Sequence, residues 1–177
     1  MLIETESGKV TINPHAARER IAFEHLVNEN ETARASQQLL IPETVRLSPP
    51  DFARVAAAIP VIAGMGFALE EFGVDTIKID AVPQLIGSLS PSAIVTTIAR
   101  DLADGALSRA GTRWREELIA KSIARSFAGM SLALTEESAT KLVEELCTCR
   151  MPYVCPRGKP VMIFTSTREL DRKFDRK

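Results

Sequence analysis

Strand-like sequence stands at both ends of this chain and helix-like sequence fills most of the middle, an order that restricts the fold more than any other feature. Residues 2–12, LIETESGKVTI, read as a hairpin: two strands joined at Ser7-Gly8, with Val10 and Ile12 on one face. Residues 161–166, VMIFTS, read as a short strand of the buried type. Pairing the two closes one sheet from both chain ends and carries the preceding loop, CTCRMPYVCPRGKP, toward the start of the first helix. The runs FALEEF and TIKIDAV, joined at Gly73, predict a second, antiparallel pair in the middle. Strands at the ends and centre with helices between them define an α+β class.

Local signals place the helices. Asn13 followed by Pro14 is a helix start, the Asn side chain capping free N–H groups, and the helix is expected to run to about Asn28. The stretch LLIPETVRLS is extended, Pro42 holding Ile41 out of helical geometry. SPPDFARVAAAIPVIAGM is a helix opened by Ser48 and broken near Pro60. SPSAIVTTIARDLADGAL, TRWREELIAKSIARSF and TEESATKLVEEL repeat apolar residues at three and four spacing, the last capped by Thr135. RELDRKFDRK reads as a charged tail.

At 177 residues, with 45% hydrophobic and 25% charged residues, the chain supports one cored domain or two small subdomains. A net charge of -1 excludes a strongly basic module held to nucleic acid by its overall field. Arg113, Arg115, Lys121 and Arg125 are interspersed with acids and read as a solvated face. The first twenty residues carry no apolar signal region, and the longest apolar runs are interrupted by Pro and Gly, so a cytoplasmic protein without membrane attachment is expected. Cys147 and Cys149 form CxC and are expected to pack as small apolar residues.

The opening helix poses the chemical question. At 100° per residue, His15, Glu19, Phe23 and Leu26 share the stripe expected to face the protein. A desolvated Glu or His must be paired, hydrogen-bonded or metal-bound. Two answers stand side by side: His15 and Glu19 pair along the helix, joined by Arg18 or Arg157, or His15, Glu19 and the Cys155 thiolate hold a metal.

NPHAARERIAFE resembles, in order and spacing, the motif DQHAxxExxxxE of the MutL C-terminal domain family of DNA mismatch repair, and CPRGKPVMI resembles that family's CPHGRPTMI. The likeness extends over SQQLLIPETVRLSP, GFALEEFGVDTIKIDAVPQLI and ELIAKSIARSF, nearly the whole chain. It implies a homodimer. It also implies a sheet-based dimerisation subdomain, residues 1–47 and 116–177, carrying the motifs, and a helix-rich external subdomain with a short β pair, residues 48–115.

In family members that nick DNA, the corresponding residues form a metal site; carried over, they are Asn13, His15, Glu19, Cys155 and Arg157, with Glu24 closing the helix motif. Asn13 lacks the charge of the family's Asp, and Arg157 replaces a neutral ligand with a permanent cation. AKS, Ala120 to Ser122, stands where family nucleases carry ACR. The resemblance with these departures implies a dimerisation and partner-binding module that has lost nicking, with Asn13, Glu19 and Glu24 left as degenerate catalytic candidates and no cofactor. The alternative is a metal-dependent DNA endonuclease with a remodelled site that uses His15, Glu19, Glu24 and Cys155, with zinc or manganese held by His15, Glu19 and Cys155.

Gln37, Leu40 and Pro42 form QxxLxP, which resembles the short motif by which bacterial repair proteins touch the replication processivity clamp. Other implied partners are MutS-type repair proteins, with DNA bound weakly or indirectly. Nothing in the chain resembles the family's N-terminal ATPase domain, so ATP hydrolysis is not expected, and the chain reads as an excised domain or a split gene.

Overall fold

The computed structural model describes residues 1–27, 35–87, 89–105, 112–129 and 134–174. In order these form β1 (Leu2–Thr5), β2 (Gly8–Ile12), α1 (Pro14–Val27), β3 (Ser36–Arg46), α2 (Pro49–Ala56), α3 (Ile59–Ala63), β4 (Ala68–Glu71), β5 (Thr76–Pro83), α4 (Pro91–Gly105), α5 (Thr112–Ala128), α6 (Glu136–Thr148), β6 (Met162–Ser166) and α7 (Thr167–Lys173). The class is α+β, with two antiparallel sheets ordered β1-β2-β6 and β3-β5-β4. Asn28, where the first helix was expected to end, lies outside the described residues.

The chain divides into two compact units, residues 1–21 with 128–177, and residues 22–127. β3 falls in the central unit because its partner is β5. In the terminal unit the two chain ends meet as the pattern required: β2 pairs with β1 on one side and with β6 on the other, Gly8 opposite Ser166 and Ile12 opposite Met162. One face of this sheet covers a core of Ile12, Ala16, Ala17, Ile21, Leu142, Leu146, Cys155 and Val161. These are one strand residue, the small-residue face of α1, two leucines of α6 and the segment leading into β6. Gly8 is required by close approach: a Cβ there would stand 2.3 Å from the Thr165 carbonyl oxygen and 2.8 Å from the Ser166 Cα.

Two expectations about the C-terminal end are corrected. β6 is not a buried strand: Val161 before it is buried, but Ile163 and Phe164 are more than half exposed. The strand is an edge of a sheet whose core covers one face, so apolar composition alone overstated its burial. RELDRKFDRK is not simply a tail, because Ser166 accepts a hydrogen bond from the Glu169 N–H and starts α7, which carries a Glu169–Lys173 pair at 3.0 Å.

In the central unit β5 is the middle strand, its Ile77, Ile79 and Ala81 buried on one face. α2 and α4 pack on it and on each other. Ser48 caps α2 as expected, and the predicted break near Pro60 is the step from α2 to α3, with Pro60 in the first turn of α3.

Replacing Gly8 by Ala forces two backbones apart, since neither close atom belongs to a flexible side chain. Urea denaturation of Gly8→Ala should show a loss of about 2 kcal/mol or more, in the upper range for overpacking.

Candidate functional site

Asn13 ends β2's approach to α1 and caps the helix. Its side-chain oxygen accepts from the backbone N–H of His15 at 3.1 Å and of Ala16 at 3.3 Å. That oxygen is the atom a carboxylate would have offered to a cation, and here it serves the helix terminus. His15 is exposed, contrary to its predicted place on the buried stripe. The reason lies in which residues dock: α1 meets the core through Ala16, Ala17 and Ile21, a face turned away from His15 around the helix. His15 and Glu19 therefore share a helical stripe but not an environment.

Glu19 is buried, its side chain 1% exposed. Its partner is Arg157, one of the two arginines the sequence offered. Arg157 Nε donates to Glu19 Oε1 at 2.7 Å, and Arg157 Nη2 donates to Oε2 at 2.6 Å, a two-pronged ion pair. The turn that delivers this arginine follows from its sequence. Cys155 N–H donates to the Lys159 carbonyl and Gly158 N–H to the Cys155 carbonyl, each at 2.8 Å. Val154 bridges Pro160 across the base. Pro156 suits the first corner of such a turn, and Gly158 takes φ +79°, which most other residues resist. Arg157 is thereby held at the tip.

The Glu19 hydrogen bonds hold the Arg157 pKa above its ordinary value. Burial opposes them, while the Glu19 charge and the neighbouring Cys155 act in the same direction as the hydrogen bonds. Cys155 itself is 1% exposed. A residue not anticipated from sequence completes the corner: Arg20, also buried, donates from Nε to the Val154 carbonyl at 2.6 Å. Its position four residues after Ala16, on the docking face, was the available signal.

Glu24 is half-buried, five residues after Glu19 and so about 140° away around the helix, a poor placement for two carboxylates sharing one ion. Among the described residues no group of three or more His, Cys, Asp and Glu side chains has metal-holding geometry. The donor set does not fit the metal that the resemblance implies, because Asn13 caps the helix, His15 is exposed and Glu19 is engaged by a cation. Ser122, where ACR would end, is buried in α5, its hydroxyl 2.6 Å from Asp101 of α4, which Arg125 also reaches at 3.1 Å.

The segment containing Gln37, Leu40 and Pro42 lies on β3. Gln38 pairs with Ala81 and Glu43 with Ile79, so Leu39 to Pro42 stand opposite Asp80 alone and bulge from the ladder. Leu40 and Ile41 are 104% and 81% exposed.

These features describe an α+β chain with one sheet built from both chain ends, a buried carboxylate held by an arginine fork beside it, and an apolar bulge on an edge strand of the other sheet. The chain belongs to the family described as the MutL C-terminal dimerisation domain, whose model matches residues 1–129. DNA mismatch repair protein MutL of Akkermansia muciniphila is 35% identical over 98% of this chain and 27% of its own length. MutL of Methanoculleus marisnigri is 32% identical over 93% of this chain and 28% of its own. MutL of Methanothrix thermoacetophila is 30% identical over the whole chain and 31% of its own. The chain thus spans less than a third of the length of these curated relatives.

Ser122→Ala removes a hydroxyl from a buried carboxylate. It should cost about 1.5–3 kcal/mol in urea denaturation, with the fold retained by circular dichroism.

Proposed function

We propose that this chain serves DNA mismatch repair as a MutL-type C-terminal module that joins two subunits and docks partners without nicking DNA. The observation that carries the reading is the engagement of Glu19 by Arg157. A nicking centre of this type needs a cation to polarise a phosphoryl oxygen and activate water. Here Glu19, the buried carboxylate of the helix motif, neutralises a guanidinium. No resident cofactor is part of this reading, and DNA is contacted weakly or through partners.

An apolar strip on the outer face of the terminal sheet, beside the Glu4–Lys9 ion pair, supports self-association. Leu2, Thr11 and Ile163 align across β1, β2 and β6 on the face opposite the core, and Leu2 and Ile163 are 55% and 57% exposed. A second copy covering this strip would bury them. The bulge on β3 supports partner docking: Leu40 extends fully into solvent, as a side chain must to enter a hydrophobic pocket on a processivity clamp, with Gln37 and Pro42 exposed beside it. MutS-type repair proteins are further partners in this reading. Among the described residues no helix is long and apolar enough to cross a membrane.

Sedimentation at micromolar concentration should give a dimer. Ile163→Glu should weaken it by roughly tenfold to a hundredfold, the loss expected when burial of one large aliphatic side chain is forfeited. A strict wild-type monomer refutes the self-association reading. Supercoiled plasmid incubated with the protein and manganese should remain un-nicked; robust nicking that disappears in Glu19→Ala establishes the endonuclease instead. In a pull-down with the bacterial processivity clamp, replacing both Gln37 and Leu40 by Ala should abolish retention, and unchanged retention rules out the docking motif.

A further inference from the structure

The corner between α1 and the Cys155–Lys159 turn holds a cation of its own. We propose that the Arg157 guanidinium is a built-in counterion that occupies the position a metal ion would need in order to use both Glu19 and Cys155, closing the corner to divalent cations while fixing the turn to α1. Both prongs of the fork are spent on one carboxylate, at 2.7 and 2.6 Å, and the buried Cys155 opens the same turn two residues earlier. A divalent ion entering here must displace a two-point ion pair and then remain beside a side chain that keeps its positive charge at any pH the protein survives. Among the described residues no third His, Cys, Asp or Glu side chain joins Glu19 and Cys155 in metal-holding geometry, and two donors are too few for a protein site of three or four ligands.

The substitution is geometrically simple. The turn depends on Pro156 at its first corner and Gly158 at φ +79°, not on the residue between them. Position 157 therefore delivers whatever side chain it carries to Glu19. With an imidazole there, the corner would present nitrogen, sulfur and oxygen donors together, a zinc-type set. The tether does not act alone, since Arg20 binds the Val154 carbonyl at 2.6 Å and ties α1 to the same segment from the other direction. Losing the Arg157 contact should therefore loosen the corner and leave the rest of the unit folded.

The proposal rests on the metal-free, non-nicking part of the reading above, but its tests read metal content and stability, so its failure leaves the dimerisation and clamp-binding results standing. Thermal melts with and without chelator, with and without zinc, and elemental analysis are applied to the wild-type chain, Arg157→Met, Glu19→Gln/Arg157→Met and Arg157→His. The wild-type protein should purify without stoichiometric metal, and its midpoint should respond neither to chelator nor to zinc. Arg157→Met should melt lower, and adding Glu19→Gln should recover most of the loss by removing the stranded charge. Arg157→His should acquire a zinc-dependent rise in midpoint that Cys155→Ser abolishes. One equivalent of zinc or manganese in the wild-type protein overturns the proposal. So does a double variant no more stable than Arg157→Met, or a folded Arg157→His protein that gains no zinc response. If Arg157→His does not fold, the wild-type metal content and the Met-series comparison decide.

Discussion

A carboxylate taken almost wholly out of water must be answered by a positive charge or by hydrogen bonds, and at Glu19 the answer reaches across the terminal unit from position 157. That one pairing aligns α1, the turn before β6 and the sheet that both chain ends complete. Breaking a fully buried ion pair by deleting one partner costs about 3–5 kcal/mol, and less where one partner meets solvent. Arg157 is 35% exposed, so the penalty here falls below that range. The pair's larger effect is on specificity: its fork geometry accepts one register of turn against helix. Arg20 and the Val154 carbonyl repeat the constraint with donor and acceptor roles exchanged between the two segments.

The terminal sheet is packed asymmetrically. Its inner face carries Ile12 on the core, with Ile3, Val10 and Met162 packed against it at the margin. Its outer face leaves apolar side chains in water, an arrangement that a lone folded unit gains nothing from. The family is described as a dimerisation domain, and an exposed apolar strip is the kind of surface that association would cover.

Much of this architecture was readable because it is local. Asn13, Ser48 and Thr135 cap helices at the expected positions, each satisfying backbone donors within a few residues of itself. The pairing of chain ends followed from pattern and topology, and it correctly brought Arg157 within reach of the first helix. The failures share a cause: burial depends on what lies opposite. Helical periodicity puts His15 on the docking stripe, but the face that docks is centred on Ala16, Ala17 and Ile21 and turns His15 to solvent. VMIFTS has the composition of a central strand but lies at an edge with one covered face. Arg20 passed unremarked because charge usually marks solvent, whereas here its guanidinium meets a carbonyl. The exposure of Leu40 was equally hidden, since the bulge that produces it depends on a register change against β5.

That register change also affects the outer border of the central sheet. An uninterrupted flat border strand exposes a row of open amide and carbonyl groups on which foreign chains can polymerise. In β3 the row is interrupted by four consecutive residues out of register, one of them a proline that has no N–H to donate. The same irregularity that thrusts Leu40 and Ile41 outward therefore caps the length of any intruding strand, guarding a greasy protrusion against runaway amyloid-like stacking.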